Sequence, residues 1–296
     1  MPTNVPATQA AGLPAMSADD LALMQEGSKT GVESFSMKQL VVPYLFIVQG
    51  SSDYVKRGQA KFIDAAREGD IMDSLMLTPL SEAHVIACKF EDHSTEWKPN
   101  QGGLVKQWFT DHSKYFASAK KSADDFDGMP RVTSEGHEIT LVPTYYCLLF
   151  NPETGRARPL VLSMASTQAK KSRRWNGLID ALEFQGLNGS FTAPIYARSY
   201  RLTTVPEKGR DNTTFAGWKI DPGALTLTLP NGRALWEQAQ EVRKQVEDGV
   251  MKMAAPTEVD ITPAATTAPT ETRGTARRGS ARGTAPTDDG GADIPF

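Results

Sequence analysis

Six cations share one acid-free stretch of the chain. Arg156, Arg158, Lys170, Lys171, Arg173 and Arg174 all fall between Thr154 and Ile179, where no aspartate or glutamate occurs. No acid at i±4 offsets them, as one would on a salt-bridged helix face. Ser166, Thr167 and Gln168, whose side chains donate to phosphate oxygens, precede the denser half of the run. Trp175 lies within it. An unpaired nucleic-acid strand requires charge for its phosphates and a π-face for its bases. The plainer reading, a solvated basic face with Trp175 in the core, stands beside this one. In a chain of formal charge −3 this is the one strong positive field, so a nucleic-acid site must be local.

Other rings that could stack on bases are Trp97, Trp108, Tyr196, Tyr200 and Trp218. Their spacing does not separate exposed rings from core rings. A smaller basic cluster, Lys56, Arg57, Lys61 and Arg67, comes earlier.

Catalytic chemistry finds little footing. The four histidines are scattered, and Cys88 with His93 lacks a second close pair to complete a zinc site. No phosphate loop, Gly-x-Ser-x-Gly elbow or His-Glu-x-x-His helix occurs. Asp124, Asp125 and Asp127 have no glutamate at calcium-loop spacing and read as a solvated acidic loop. The expectation is a binding protein with no catalytic residues, no metal and no cofactor.

The elements that would position the cations follow from local pattern. Residues 159–162 are an apolar run that suits a buried strand. Ser166 or Thr167 can cap a helix whose inner face is Ala165, Ala169, Ser172, Trp175, Ile179 and Leu182. The clearest strand is 139–150, and Asn151, Pro152 and Gly155 supply turn chemistry after it. A β-hairpin followed by the basic helix is therefore expected. Further strands are expected at 40–48, 71–75, 84–91, 196–205 and 214–220. Residues 53–68 read as helical or irregular, 104–116 as a short helix, and 234–253 as the most regular helix, with Leu235, Ala239, Val242, Val246 and Val250 on its apolar face. Several short strands with few helices imply an α+β protein. The expected core is a curved antiparallel sheet, an OB-like barrel with inserted helices.

Composition divides the chain into three. Residues 1–35 predict a flexible arm with one short helix near 18–25, 36–253 a folded binding domain, and 254–296 a disordered linker. The overall hydrophobic content of 40% is enough for a core. Cys88 and Cys147 lie in apolar runs and are expected to be buried free thiols in a reducing compartment. No apolar run approaches the roughly 18 residues that span a membrane, and the N-terminus lacks a signal-peptide pattern. A soluble, intracellular protein is expected.

The chain closes on Asp288-Asp289-Gly290-Gly291-Ala292-Asp293-Ile294-Pro295-Phe296. This ending resembles the acidic tip of bacterial single-stranded DNA-binding proteins, which close on acids followed by Ile-Pro-Phe. Gly290, Gly291 and Ala292 interrupt an acidic block that is usually continuous, and the resemblance covers the tip and the layout of domain and linker. Ser166-Thr167-Gln168, Lys171-Ser172 and Trp175 resemble an element of certain bacteriophage proteins. Together the two resemblances imply a phage-type single-stranded DNA-binding protein in the cytoplasm of a bacterial host. It would coat single strands in replication, recombination or repair. Asp288, Asp289, Asp293, Ile294, Pro295 and Phe296 would recruit partner proteins, with Phe296 in an apolar pocket and its carboxylate on a cation. No membrane partner is implied, and a homo-oligomer is compatible. The alternative is a phage structural or host-takeover protein whose tip mimics that of the host protein.

Overall fold

Among the described residues from Tyr44 onward most regular elements are strands, beginning with β1 (Tyr44–Ile47), β2 (Ile71–Asp73), β3 (Ala83–Trp97), β4 (Leu104–Trp108), β5 (Arg131–Val132), β6 (Glu138–Phe150) and β7 (Ala157–Ser163). A 3-10 turn at Ser166–Gln168 opens a helix at Ala169–Asp180, which we number α2 after the short α1 (Ala18–Glu26). Then come β8 (Glu183–Gly186), β9 (Gly189–Thr192), β10 (Arg198–Lys208), β11 (Thr214–Leu225) and α3 (Gly232–Glu247). The computed structural model describes residues 17–26, 42–99, 103–108, 131–209 and 212–251. All lie in one unit, Met1–Ala264; the other unit, Ala265–Phe296, falls outside them.

The protein is α+β, and its main sheet runs β11-β10-β3-β6-β7-β1-β2, with β4 added to β3 and β5 to β6. Every pairing is antiparallel except β1 with β7. The sheet curls strongly into a half-barrel. One buried cluster takes Trp218 from β11, Tyr200 and Leu202 from β10, Tyr145 from β6, Leu45 from β1 and Ile71 from β2. Gln49, just past β1, hydrogen-bonds Ala216 of β11, so the bend brings the two ends of the path together around this cluster. Trp175 of α2 belongs to the same cluster, so α2 fills the concave side.

The convex side is also buried. Ile86 and Cys88 of β3, Tyr146 and Leu148 of β6, and Val161 of β7 form a second cluster with Leu235, Ala239, Val242 and Val246 of α3. Successive side chains of a strand point to opposite faces. Central strands covered on both sides therefore read as unbroken apolar runs, which is why 139–150 and 84–91 are so legible. The register of β3 on β6 shifts between Ala87 and Lys89, at Cys88. Cys88 then falls in the α3 cluster and Cys147 in the α2 cluster. Both thiols are free and buried.

The expected strands at 40–48, 71–75, 84–91, 139–150, 196–205 and 214–220 are all present with shifted ends, and the helix near 18–25 is α1. The residues at 53–68 form turns, and α3 starts at Gly232 and stops at Glu247. Two local expectations are corrected. Leu104–Trp108 is a strand, because it pairs with Ser94–Trp97 and completes the ladder at the end of β3; 109–116 lies outside the described residues. Neither Ser166 nor Thr167 caps α2: the N-cap is Gln168, with no side-chain cap bond. The segment before β10 carries a separate hairpin, β8–β9, which the sequence pattern did not lead us to expect.

Candidate nucleic-acid interface

Helix α2 is held at two levels. Ahead of its first residue, the Gln168 Oε1 accepts the Trp218 N–H of β11 at 3.0 Å. One turn in, the Tyr145 hydroxyl of β6 donates to Asn176 Oδ1 at 2.7 Å and lies 2.8 Å from Ser172 Oγ. Burial pushes the Tyr145 phenol above the ordinary tyrosine range, so it stays a neutral donor. Ala169, Ser172 and Trp175 are buried at steps of three, which turns Lys170, Arg173 and Arg174 outward.

The structure thus gathers Lys170, Arg173 and Arg174 on one exposed helix face. Lys170 and Arg174 form no ion pair among the described residues. Arg156 is exposed in the turn ahead of β7. That turn is tight: Asn151 Oδ1 accepts the Glu153 and Thr154 N–H groups, and a Cβ on Gly155 would sit 2.2 Å from the Pro230 carbonyl oxygen. Gly155 has φ +65°, which also favours glycine.

Two cations named with them serve the fold. Arg158 pairs with Asp73 of β2, whose side chain is 3% exposed. The other Asp73 oxygen accepts the Leu75 and Met76 N–H groups. Lys171 pairs with Glu207 of β10.

The aromatic half of the expected site is corrected. Trp175 is fully buried, stacked on Tyr145 at 4.1 Å between ring centroids and edge-on to Tyr200 at 5.3 Å. Tyr200 is 1% exposed, Trp218 3% and Tyr196 6%, with Tyr196 packed edge-on against Trp236. Rings without an open face cannot receive a base. Trp97 is half-buried at the end of β3 and donates through Nε1 to Thr95 Oγ1. The side chain of Trp108 and the tip residues Asp288, Asp289, Asp293, Ile294, Pro295 and Phe296 lie outside the described residues.

Other apolar surface does adjoin the cationic helix. A groove of about 570 Å3 runs along the second half of α2, lined by Phe90, Asn176, Gly177, Ile179, Asp180, Thr192, Ala193 and Ile195. Thr192 ends the β8–β9 hairpin, where Leu187 is fully exposed and Phe191 half exposed. The sequence signal for this hairpin is Gly186 and Gly189 flanking Leu187-Asn188, with Phe184 and Phe191 outside them. Among the described residues no group of three or more His, Cys, Asp or Glu side chains is placed to hold a metal ion. No helix of the described residues is long and apolar enough to cross a membrane.

Fold and site together define an α+β protein with a curled sheet and a cationic helix packed in its concave side. The family model described as Pam3 phage gp34-like protein matches residues 9–252, and the chain belongs to that phage protein family. No curated protein and no solved structure matches it.

Proposed function

We propose that the chain is a single-stranded DNA-binding protein of a phage. It coats unpaired strands during replication, recombination or repair and recruits partner proteins through its C-terminal tip. It acts by binding and carries out no catalysis. The observation that carries this reading is the exposed face of Lys170, Arg173 and Arg174. Its Lys170 and Arg174 lack acidic partners among the described residues, in a chain of net charge −3. Unpaired surface cations of this kind attract phosphates by releasing condensed counterions. The acidic residues of the tip keep it from competing for the same phosphates and suit it to a basic protein pocket.

The test is fluorescence anisotropy of the full chain with labelled single- and double-stranded oligonucleotides across salt. Salt-sensitive binding preferring the single strand is expected. No binding at low salt overturns the reading.

A second reading is favoured by the burial of Trp175, Tyr196 and Tyr200, which removes the expected stacking rings. On it, the protein is a phage structural or host-takeover factor, and its tip mimics that of the host single-stranded DNA-binding protein. Failure to bind oligonucleotides, with retained binding to a host repair protein through residues 288–296, would select it.

A further inference from the structure

We propose that the outer face of the β8–β9 hairpin is a contact with a second copy of this chain. Phe184, Leu187 and Phe191 of the two copies would pack on each other across a two-fold axis. The inference stands apart from the single-strand reading and requires no nucleic acid.

The hairpin turns its polar face to its own domain. In its register Phe184 lies opposite Phe191, Gln185 opposite Ser190 and Glu183 opposite Thr192. Successive side chains of a strand point to opposite faces, so the two rings share one face and the four polar side chains share the other. The contacts agree: the ring centroids lie 6.1 Å apart at a 32° tilt, and Ser190 Oγ donates to Gln185 Oε1 at 3.0 Å. Thr192 lines the groove beside α2, which makes the polar face the inner one. The ring face looks outward, with Phe191 50% exposed. Leu187 at the tip is wholly exposed, in a turn position where glycine, asparagine or aspartate is the usual choice. A hairpin that packed only on its own domain would show the reverse pattern, apolar inward and polar outward. Among the described residues β8 and β9 join no third strand, and a two-stranded sheet is marginal in water unless a face is covered.

Charge selects the occupant. No charged residue occurs from Phe184 to Ala197, in a chain that is 23% charged. A two-fold contact sets a patch against itself, so every charge on it meets its like; this patch carries none to repel. The same lack of cations leaves nothing on it to hold a phosphate. Strand β9 also has neither the lysine nor the proline that commonly keeps an edge strand from pairing with another chain. Three large side chains from each copy bury on the order of several hundred Å2, below the roughly 1,200 Å2 of a stable interface, so the association is reversible. A two-fold contact is closed, and it stops at two copies.

The experiment is sedimentation velocity of the full chain, without nucleic acid, across the micromolar range. The native chain should pass from monomer to dimer as concentration rises. Phe191→Glu and Phe191→Lys each set like charges against one another at the two-fold contact. Each should raise the dimer dissociation constant by at least about a hundredfold. Both alter a half-exposed side chain on a hairpin separate from the main sheet, and circular dichroism checks that the fold is kept. An equimolar mixture of the two variants should dimerise again, because opposite charges then face each other; a damaged hairpin would not be rescued in this way. A native chain that stays monomeric at the highest concentration overturns the proposal. So does a dimer that both variants retain, and so does a mixture that stays monomeric.

Discussion

Gln49 holds Ala216 as a neighbouring strand would. Its Oε1 accepts the Ala216 N–H at 3.0 Å and its Nε2 donates to the Ala216 carbonyl at 2.9 Å. Ala216 lies on β11, at one end of the sheet, and Gln49 follows β1, near the other. On β10 the residue opposite Ala216 is Pro206, and both Ala216 backbone groups point away from β10 toward Gln49, as at a non-hydrogen-bonded pair, where a proline costs the ladder nothing. One carboxamide thus bridges the mouth of the half-barrel, and Gln168 does similar work two residues along, at Trp218. Polar groups of an edge strand left unpaired invite aggregation, so these two glutamines also guard β11.

Gln49→Leu should therefore loosen the barrel mouth. Two hydrogen bonds at about 0.5–1.5 kcal/mol each put the loss near 1–3 kcal/mol. Urea unfolding would show a lower midpoint at unchanged slope, and the Ala216 amide should exchange faster. An unchanged midpoint would mean that the edge needs no clamp.

Trp175 gives a test that separates core from interface. Trp175→Ala empties a fully buried site between Tyr145 and Tyr200 and should cost about 3–5 kcal/mol. Trp175→Phe keeps the aromatic volume in large part and should keep native affinity for single strands wherever the chain remains folded. Circular dichroism measured alongside anisotropy checks both. Weak binding by a well-folded Trp175→Phe would return the ring to the interface.

The contrast between these two sites tracks what a sequence can carry. β3, β6 and β7 are legible because strands buried on both faces leave unbroken apolar runs, and α2 because Ala169, Ser172 and Trp175 recur at helical steps. The same periodicity says nothing about whether Trp175 faces a base or Tyr145, since both need an aromatic on one side of a helix. The roles of Arg158 and Lys171 are hidden for another reason. Their partners Asp73 and Glu207 are distant in the chain and meet them only through sheet order. β4 reads as helix because five residues rich in large side chains carry little period, and pairing with β3 decides their conformation. Hairpin β8–β9 escapes notice because its strands are four residues each, although its glycines mark the turn.

The cations of the acid-free stretch should divide into two classes under mutation. Lys170→Ala with Arg174→Ala removes exposed charges that hold no ion pair among the described residues, so stability should be unchanged. The log–log salt dependence of strand binding should flatten by about 1.4, near 0.7 for each single-strand phosphate no longer neutralised. Arg158→Ala should act oppositely, leaving the buried Asp73 carboxylate without its counter-charge. The loss would reach about 3–5 kcal/mol for a fully buried pair, and about 2–3 kcal/mol here because the Arg158 side chain is 37% exposed. Paired salt titrations and urea melts distinguish the classes. A salt slope unmoved by the double variant would remove α2 from the interface.

Alkaline pH should destabilise the fold through groups that never touch a ligand. Burial raises the Cys88, Cys147 and Tyr145 protonation equilibria above their ordinary values of 9.0 for the thiols and 10.0 for the phenol. The folded chain keeps these protons where the unfolded chain gives them up. Their contribution is therefore fully present below pH 9.0 and declines as pH rises past the unfolded thiol value, then further past the phenol value of 10.0. Each group adds a slope of about 1.4 kcal/mol per pH unit once the unfolded chain ionises. Urea midpoints taken from about pH 7 to about pH 11 should hold level and then fall, within the window where linkage acts. In Cys88→Ala with Cys147→Ala the fall should begin later, near the phenol value. A native chain equally stable across that range would show that the unfolded state holds these protons as tightly as the fold does.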